Sequence, residues 1–418
     1  MKIRRGIKQP GIMRGRGSAD NCLMWLLIIC LYYFSYRYIF KYANTMTSPT
    51  YFDTPRAIQT AKYVICAGLL LPVFLTGIRR RNIIHKGTGK ILLLIYLILQ
   101  GMYSFVWIHS ANCLILLLGL LTAFCICVAQ PEFDYDSIDR IFYVYLIFCM
   151  VYEGIQIFLF FTKGRLPAIA HDTGSLTDVR FGGPIDDPLG FSLLLSFLIP
   201  YLFHRFEGLK RDLYCAVFVL FLLLTWTLTA IAALSGVYAA ALFFRFLRKR
   251  KAKANYILLF LLLFLAALLF TGMYGQTFAE SLYRTKISSI REHLAAFYIS
   301  DLPIPAFLGL RPEPKVVESA VIRLLYNGGF LYAASFYTLG IYSAVIMHRM
   351  IRNVPESEKK RLPVYYGMFY YQICFMIASI NLPYIHMFLN IMMYSLFLGM
   401  AFVHSRSYSS QAGERERF

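Results

Sequence analysis

The sequence predicts an all-α fold, a polytopic bundle of about twelve transmembrane helices. Of 418 residues, 58% are hydrophobic and 17% aromatic, and only 15% are charged, against roughly 25% charged in soluble domains. Apolar runs that reach or approach about 20 residues, the length needed to cross a bilayer, recur along the chain. In lipid such runs fold as helices, because a helix satisfies its own backbone polar groups.

Residues 1–21 carry six Lys/Arg and no small-residue cleavage site of the signal-peptide kind, so they read as a basic cytoplasmic tail. Spans follow at 22–40 and 63–78, then, after a segment with five Lys/Arg at 79–90, at 91–108, 111–129 and 141–162. A polar stretch leads to spans at 189–203, 214–230, 231–247 and 257–273, and a second one to spans at 329–347, 364–380 and 387–403. Residues 22–403 thus form a single transmembrane domain, and 404–418 a second cytoplasmic tail.

Short loops rich in Lys/Arg stay in the cytoplasm. The segments 1–21, 79–90, 204–213, 248–256, 348–363 and 404–418 hold 27 of the 42 Lys/Arg. The net charge of +20 is therefore mainly a topology signal. These patches can also touch anionic membrane lipids, and nucleic-acid binding is the weaker explanation. Because 204–213 and 248–256 are both basic, the 34 residues between them cross an even number of times. Two helices of about 17 residues span roughly 25 Å each, which calls for a tight outer hairpin near `TLTAIAALSG`, residues 227–236. A re-entrant pair is the alternative.

The same count sends loops 163–188 and 274–328 outward. They carry Lys163, Arg165 and Arg180 in the first, and Arg284, Lys286, Arg291, Arg311, Lys315 and Arg323 in the second. Positive residues are normally scarce on that side, and an anionic ligand held at the outer face is the direct reason for them.

Several chemistries lack their signatures. The nine Cys lie within or at the edges of predicted spans, His171 and His293 have no partner at metal-ligand spacing, and no HExxH occurs. Neither a catalytic metal nor another cofactor is expected. No GxxxxGK[ST] or GxSxG is present, which argues against a nucleotide-driven pump and a serine nucleophile. No clear internal repeat marks an inverted-repeat transporter.

The first outward loop ends in `DVRFGGPIDDPLGFS`, residues 178–192. Its glycines and prolines favour a folded turn with close backbone approach, and Arg180 stands just before that turn. Asp186 and Asp187 either serve a substrate or cap the helix that follows, where negative charge is favoured. In the second loop `SSIREHLAAFYI` places Ile290, Leu294, Phe297 and Tyr298 on one face, the pattern of an amphipathic interfacial helix. `PAFLGL` makes a turn, and `VVESAVIRLLYNGGF` leads into the next span with Glu318 and Arg323 on it.

In order and common side, `VRFGGPIDDPLGF`, `TLTAIAALSGVYAAAL`, `SIREHLAAF`, the `FLGL` turn and `LLYNGGFLY` resemble the bacterial O-antigen polymerase and O-antigen ligase superfamily, from about residue 178 to 345. The resemblance implies a GT-C-like, metal-independent, inverting glycosyltransferase in the bacterial cytoplasmic membrane, with both termini cytoplasmic. Its substrate would be a glycan linked through diphosphate to a polyprenol, and a chain-length regulator is a possible partner. The family's outward arginines correspond to Arg180 and Arg291. Where family ligases usually carry His-Asn, this chain has Glu318-Ser319, which favours a polymerase of O-antigen, exopolysaccharide or capsule. The family's mid-chain Ser-Arg is reduced to Ser235 without the Arg.

The chemistry is consistent with these residue types. A diphosphate leaving group needs its charge neutralised, and the planar, permanently charged arginine fork suits that role. Arg180, Arg291, Arg284, Arg311 and Arg323 are the candidates for diphosphate binding, each with a salt bridge or a lipid headgroup as the alternative. Glu318, Asp186 and Asp187 are the candidate carboxylates for the acceptor hydroxyl. Glu153 and Arg37 inside spans suggest a cavity or a buried pair unless they snorkel to an end. A ligase with the same chemistry, or a polysaccharide flippase, are the rival functions.

Overall fold

The computed structural model describes residues 18–33, 56–79, 88–108, 111–163, 181–185, 187–225, 227–247 and 319–415. All regular structure among them is helical. In chain order the helices are α1 Ser18–Tyr32, α2 Arg56–Arg79, α3 Thr88–Ile108, α4 Ala111–Ala129, α5 Tyr135–Lys163 and α6 Pro188–Arg205. They continue as α7 Gly208–Leu224, α8 Leu228–Leu247, α9 Ala320–Arg352, α10 Leu362–Ser379 and α11 Phe388–Arg415. Short 3-10 turns occupy Gly183–Ile185, Glu356–Arg361 and Tyr384–His386.

By length and composition, four helical stretches among the described residues can cross a membrane: Thr60–Arg79, Gly89–Trp107, Tyr135–Phe158 and Ala320–Arg352. Shorter apolar helices accompany them at Ala19–Tyr32, Cys113–Ala129, Thr229–Ala241 and Phe388–His404. Together they mark the chain as a membrane protein. The expected span at 257–273 and the interfacial helix lie outside the described residues.

Helix α6 sits at the centre, with every residue from Gly190 to Phe203 buried. A helix apolar on all sides belongs inside a bundle, and α6 packs most closely on α10. Rings fill the core around them, with Phe142 of α5 and Phe197 of α6 4.1 Å apart. The other intimate pair is α4 with α11. There a Cβ on Gly119 would stand 2.7 Å from Ile391, and one on Gly399 2.8 Å from Ile126. Small residues let membrane helices approach this closely.

Polar contacts account for several boundaries that hydropathy alone misplaces. Helix α5 begins at Tyr135 because Asp134 caps it, accepting from the backbone N–H of Ser137 at 3.2 Å and from its hydroxyl at 2.7 Å. Helix α9 starts at Ala320 instead of near 329, its polar Arg323 and Asn327 tucked against neighbouring elements. At Gly329 (φ 77°) α9 bends through a backbone conformation that only glycine adopts without strain. The bend sits beside the Asn327 carbonyl, which accepts from the Ser104 hydroxyl of α3.

The chain breaks between two helices earlier than expected: α7 ends at Leu224, and `TLTAIAALSG` is helical from Leu228 onward. Threonines mark the break. The Thr225 hydroxyl donates to the Leu222 carbonyl at 2.7 Å, and Thr227 contributes its own hydroxyl to Thr225 and Pro188 carbonyls. The Ala, Ser and Gly that resembled a break are instead positions on α8, which packs on α6 and α10.

Candidate functional site

Several helix ends converge at one end of the bundle. The Phe181 N–H donates to the Leu224 carbonyl at 3.0 Å, tying the Gly-rich turn to the end of α7. The Ser319 hydroxyl donates to the Ile380 carbonyl at 2.6 Å, and the Asn381 amide to Thr229 at 2.9 Å. The start of α9, the end of α10 and the start of α8 are thereby fastened around the segment Ile380–Met387.

At the centre of this end lies the turn Tyr384–His386. Arg323, on the first turn of α9, places its Nη1 2.8 Å from His386 Nδ1. A guanidinium has donors only, so Nδ1 accepts and the neutral imidazole carries its hydrogen on Nε2. Burial pushes the His386 imidazole down to about 3, and the Arg323 charge adds to the drop. Close enough to act on Tyr384 is Asp187, the N-cap of α6, whose Oδ1 accepts from the Leu189 N–H at 3.0 Å. Burial holds the Tyr384 phenol above its ordinary value, and the Asp187 carboxylate pushes in the same direction. The turn thus feels a cation from α9 and an anion from α6.

Of the candidates for diphosphate binding and proton transfer, Asp187 and Arg323 are among the described residues, Arg323 in contact with His386 and Asp187 acting on Tyr384 of the same turn. Glu318, Asp186, Arg180, Arg291, Arg284 and Arg311 lie outside the described residues. So do Arg37, His171 and His293. Ser235 lies within α8 with its hydroxyl buried, and among the described residues that hydroxyl has no hydrogen-bond partner. Glu153 is fully buried on α5, and among the described residues neither of its carboxylate oxygens has a hydrogen-bond partner, so the alternative of a buried pair is not realised there. Among the described residues no three of His, Cys, Asp and Glu gather as a metal site.

Two residues of this end went unread in the sequence. His386 falls in `NLPYIHMF`, where Asn381 and Pro383 interrupt an apolar stretch, and that interruption was the available signal. Lys62 of α2 is buried, with Nζ 4.9 Å from the Tyr63 ring centroid and 5.1 Å from that of Phe388, two residues beyond His386. Stacking an ammonium on rings in this way offsets part of its desolvation.

Gly183 (φ 56°) makes the sharp turn before Asp187, and a Cβ there would meet the Phe191 ring at 2.6 Å. Gly183→Ala should therefore cost about 2–4 kcal/mol from overpacking and a left-handed backbone. Gly208 (φ 60°), with nothing within 4 Å of a Cβ, is the control, and Gly208→Ala should cost about 1 kcal/mol. Thermal unfolding in detergent compares the two, and equal losses would contradict the packing account.

The histidine also sets a pH dependence. Its folded value of about 3 lies below the ordinary 6.5, so the unfolded chain takes up the proton first. Stability is fully present above 6.5 and falls as the pH drops towards 3, by about 1.4 kcal/mol per unit at full slope. Unfolding midpoints measured at pH 7.5 and pH 5 should diverge more in the wild type than in His386→Asn. Identical pH dependence in the two would remove the histidine from the explanation.

Compared with protein-family models and with curated proteins, the chain matches none.

Proposed function

We propose that the chain is a polysaccharide polymerase at the outer face of the bacterial cytoplasmic membrane. It takes a glycan from a polyprenyl diphosphate carrier and transfers it, with inversion, to a hydroxyl of another lipid-linked repeat unit. The architecture in this reading is a GT-C-like bundle of about twelve spans with both termini in the cytoplasm, and the convergent end faces outward.

The observation that carries the reading is the Arg323–His386 contact at 2.8 Å, on a turn whose Tyr384 also feels the Asp187 charge. A neutral histidine orients the guanidinium without competing for its charge. Such a fixed cation suits a diphosphate whose negative charge grows as the sugar–phosphate bond breaks. The bond from the anomeric carbon to the diphosphate breaks, the acceptor oxygen bonds to that carbon, and its proton passes to a carboxylate or water. Asp187 is a described carboxylate at this end and Glu318 precedes α9, so these are the candidates for receiving the proton, with Arg180 and Arg291 as further diphosphate ligands.

Arg180→Ala and Arg291→Ala should leave cells with single-repeat products, and the Lys variants should restore part of the length. Polysaccharide length on gels reads this out. Long polymer accumulating on its carrier would instead identify a ligase, and repeat units retained on the cytoplasmic side a flippase. Normal polymer from stably expressed Ala variants would remove both arginines from the site.

A further inference from the structure

At the opposite end of the bundle, α1 and α5 form a second site. The two helices touch where Tyr32 meets Tyr145, ring centroids 5.1 Å apart. Towards their N-terminal ends they leave a groove of about 210 Å³, lined by Asn21, Trp25 and Ile28 of α1 and Ser137, Arg140 and Ile141 of α5. The lining is ordered along the helices. Asn21 and Ser137 lie nearest the helix starts, Arg140 and Trp25 come next, and Ile28 lies about 10 Å beyond Asn21 at 1.5 Å per residue.

Among the described residues three guanidiniums gather around the start of α5, and two are engaged within the chain. Arg205 pairs with Asp139 at 3.0 Å, and Asp139 also accepts from the Tyr201 hydroxyl at 2.8 Å. Arg361 lies over the Tyr135 ring at 5.2 Å and pairs with Glu358 at 2.7 Å. Among the described residues, no ion pair or hydrogen bond engages the Arg140 guanidinium, although Asp136 is one turn away. Beside it the Trp25 ring is 58% exposed, and Trp is the residue enriched where the hydrocarbon meets the headgroups.

From this arrangement we infer that the groove binds an anionic glycerophospholipid, its phosphate on Arg140 with Asn21 and Ser137 beside it, and an acyl chain along Trp25, Ile28 and Ile141. The occupant follows from the lining. A single cation left unpaired among the described residues asks for one negative charge. The polar-to-apolar order over about 10 Å matches a headgroup leading into a chain, whereas a soluble anion would leave the apolar half unfilled. The site is separate from the Arg323–His386 end, so it stands or falls independently of the proposed activity.

The test uses the purified full chain in detergent, stripped of lipid. Phosphatidylglycerol should raise the unfolding midpoint by at least about 2 °C more than phosphatidylcholine does, because a ligand that binds only the folded state stabilises it. Inorganic phosphate should give no such rise. Arg140→Ala should keep its lipid-free midpoint and lose the difference, Arg140→Lys should keep part of it, and Trp25→Ala should reduce it. Native mass spectrometry of the wild type and Arg140→Ala in mixed lipid should show one fewer phosphatidylglycerol retained by the variant. Equal shifts from the two lipids, an unchanged response in Arg140→Ala, or equal retained lipid would overturn the inference.

Discussion

Arg323→Ala is expected to lower polymer formation by about a hundredfold to a thousandfold, the usual cost of removing one preorganised donor from a charged transition state. The residue is well placed for so large an effect. It sits on the first turn of α9, whose start is pinned to α10 through Ser319 and Ile380, and its Nη1 is held by His386. Arg323→Lys keeps the charge but not the planar fork, and should recover only part of the rate. The comparison is made on protein of matched thermal stability, with transfer measured as polymer formed per unit time. A near-wild-type rate for Arg323→Ala would remove this arginine from the chemistry.

The second large effect concerns His386. In the proposed polymerase its role would be positional: Nδ1 accepts from Arg323 and fixes where the guanidinium points. Misplacing a reacting or charge-stabilising group by about 1 Å costs on the order of a hundredfold, and His386→Phe, which deletes the acceptor, should lose about that much. Asn can present an oxygen near the Nδ1 position, whereas Gln reaches towards Nε2. A positioning role therefore predicts that His386→Asn retains most activity and His386→Gln does not. The reverse order would show that Nε2, not Nδ1, matters. Replacing the buried neutral imidazole also flattens the acid dependence of stability, a readout that a directly catalytic role alone does not move.

The all-helical bundle was legible because hydropathy and basic flanks act locally, residue by residue along the chain. Helix α4 runs from Ala111 to Ala129, the same bounds the apolar run gives. Helix starts were less legible, because local polar contacts shift them. Asp134 lengthens α5 towards its N-terminus, and the threonines at 225 and 227 place the helix break ahead of the small residues that seemed to make it. Asp187 illustrates both readings of the opening loop. It caps α6 through Leu189, and its charge also reaches Tyr384.

The candidate site was legible in half of its logic. Arg323 and Asp187 stood out as charges in an oily chain, but nothing in local sequence pairs Arg323 with a histidine 63 positions later. That contact depends on how α9, α10 and α11 pack. Lys62 was missed for a related reason: it stands at the edge of an apolar run, outside the basic segments that set the topology, and only packing sets it over Phe388.

The most direct measurement is reconstitution of the purified chain with synthetic polyprenyl-diphosphate-linked repeat units, followed by gel analysis of the glycan and quantification of free polyprenyl diphosphate. A ladder of lengthening glycans, with one carrier diphosphate released per bond formed and about a hundredfold to a thousandfold less release from Arg323→Ala, is the predicted result. Unchanged single repeats, with labelled lipid instead crossing from one leaflet of the vesicle to the other, would contradict the account.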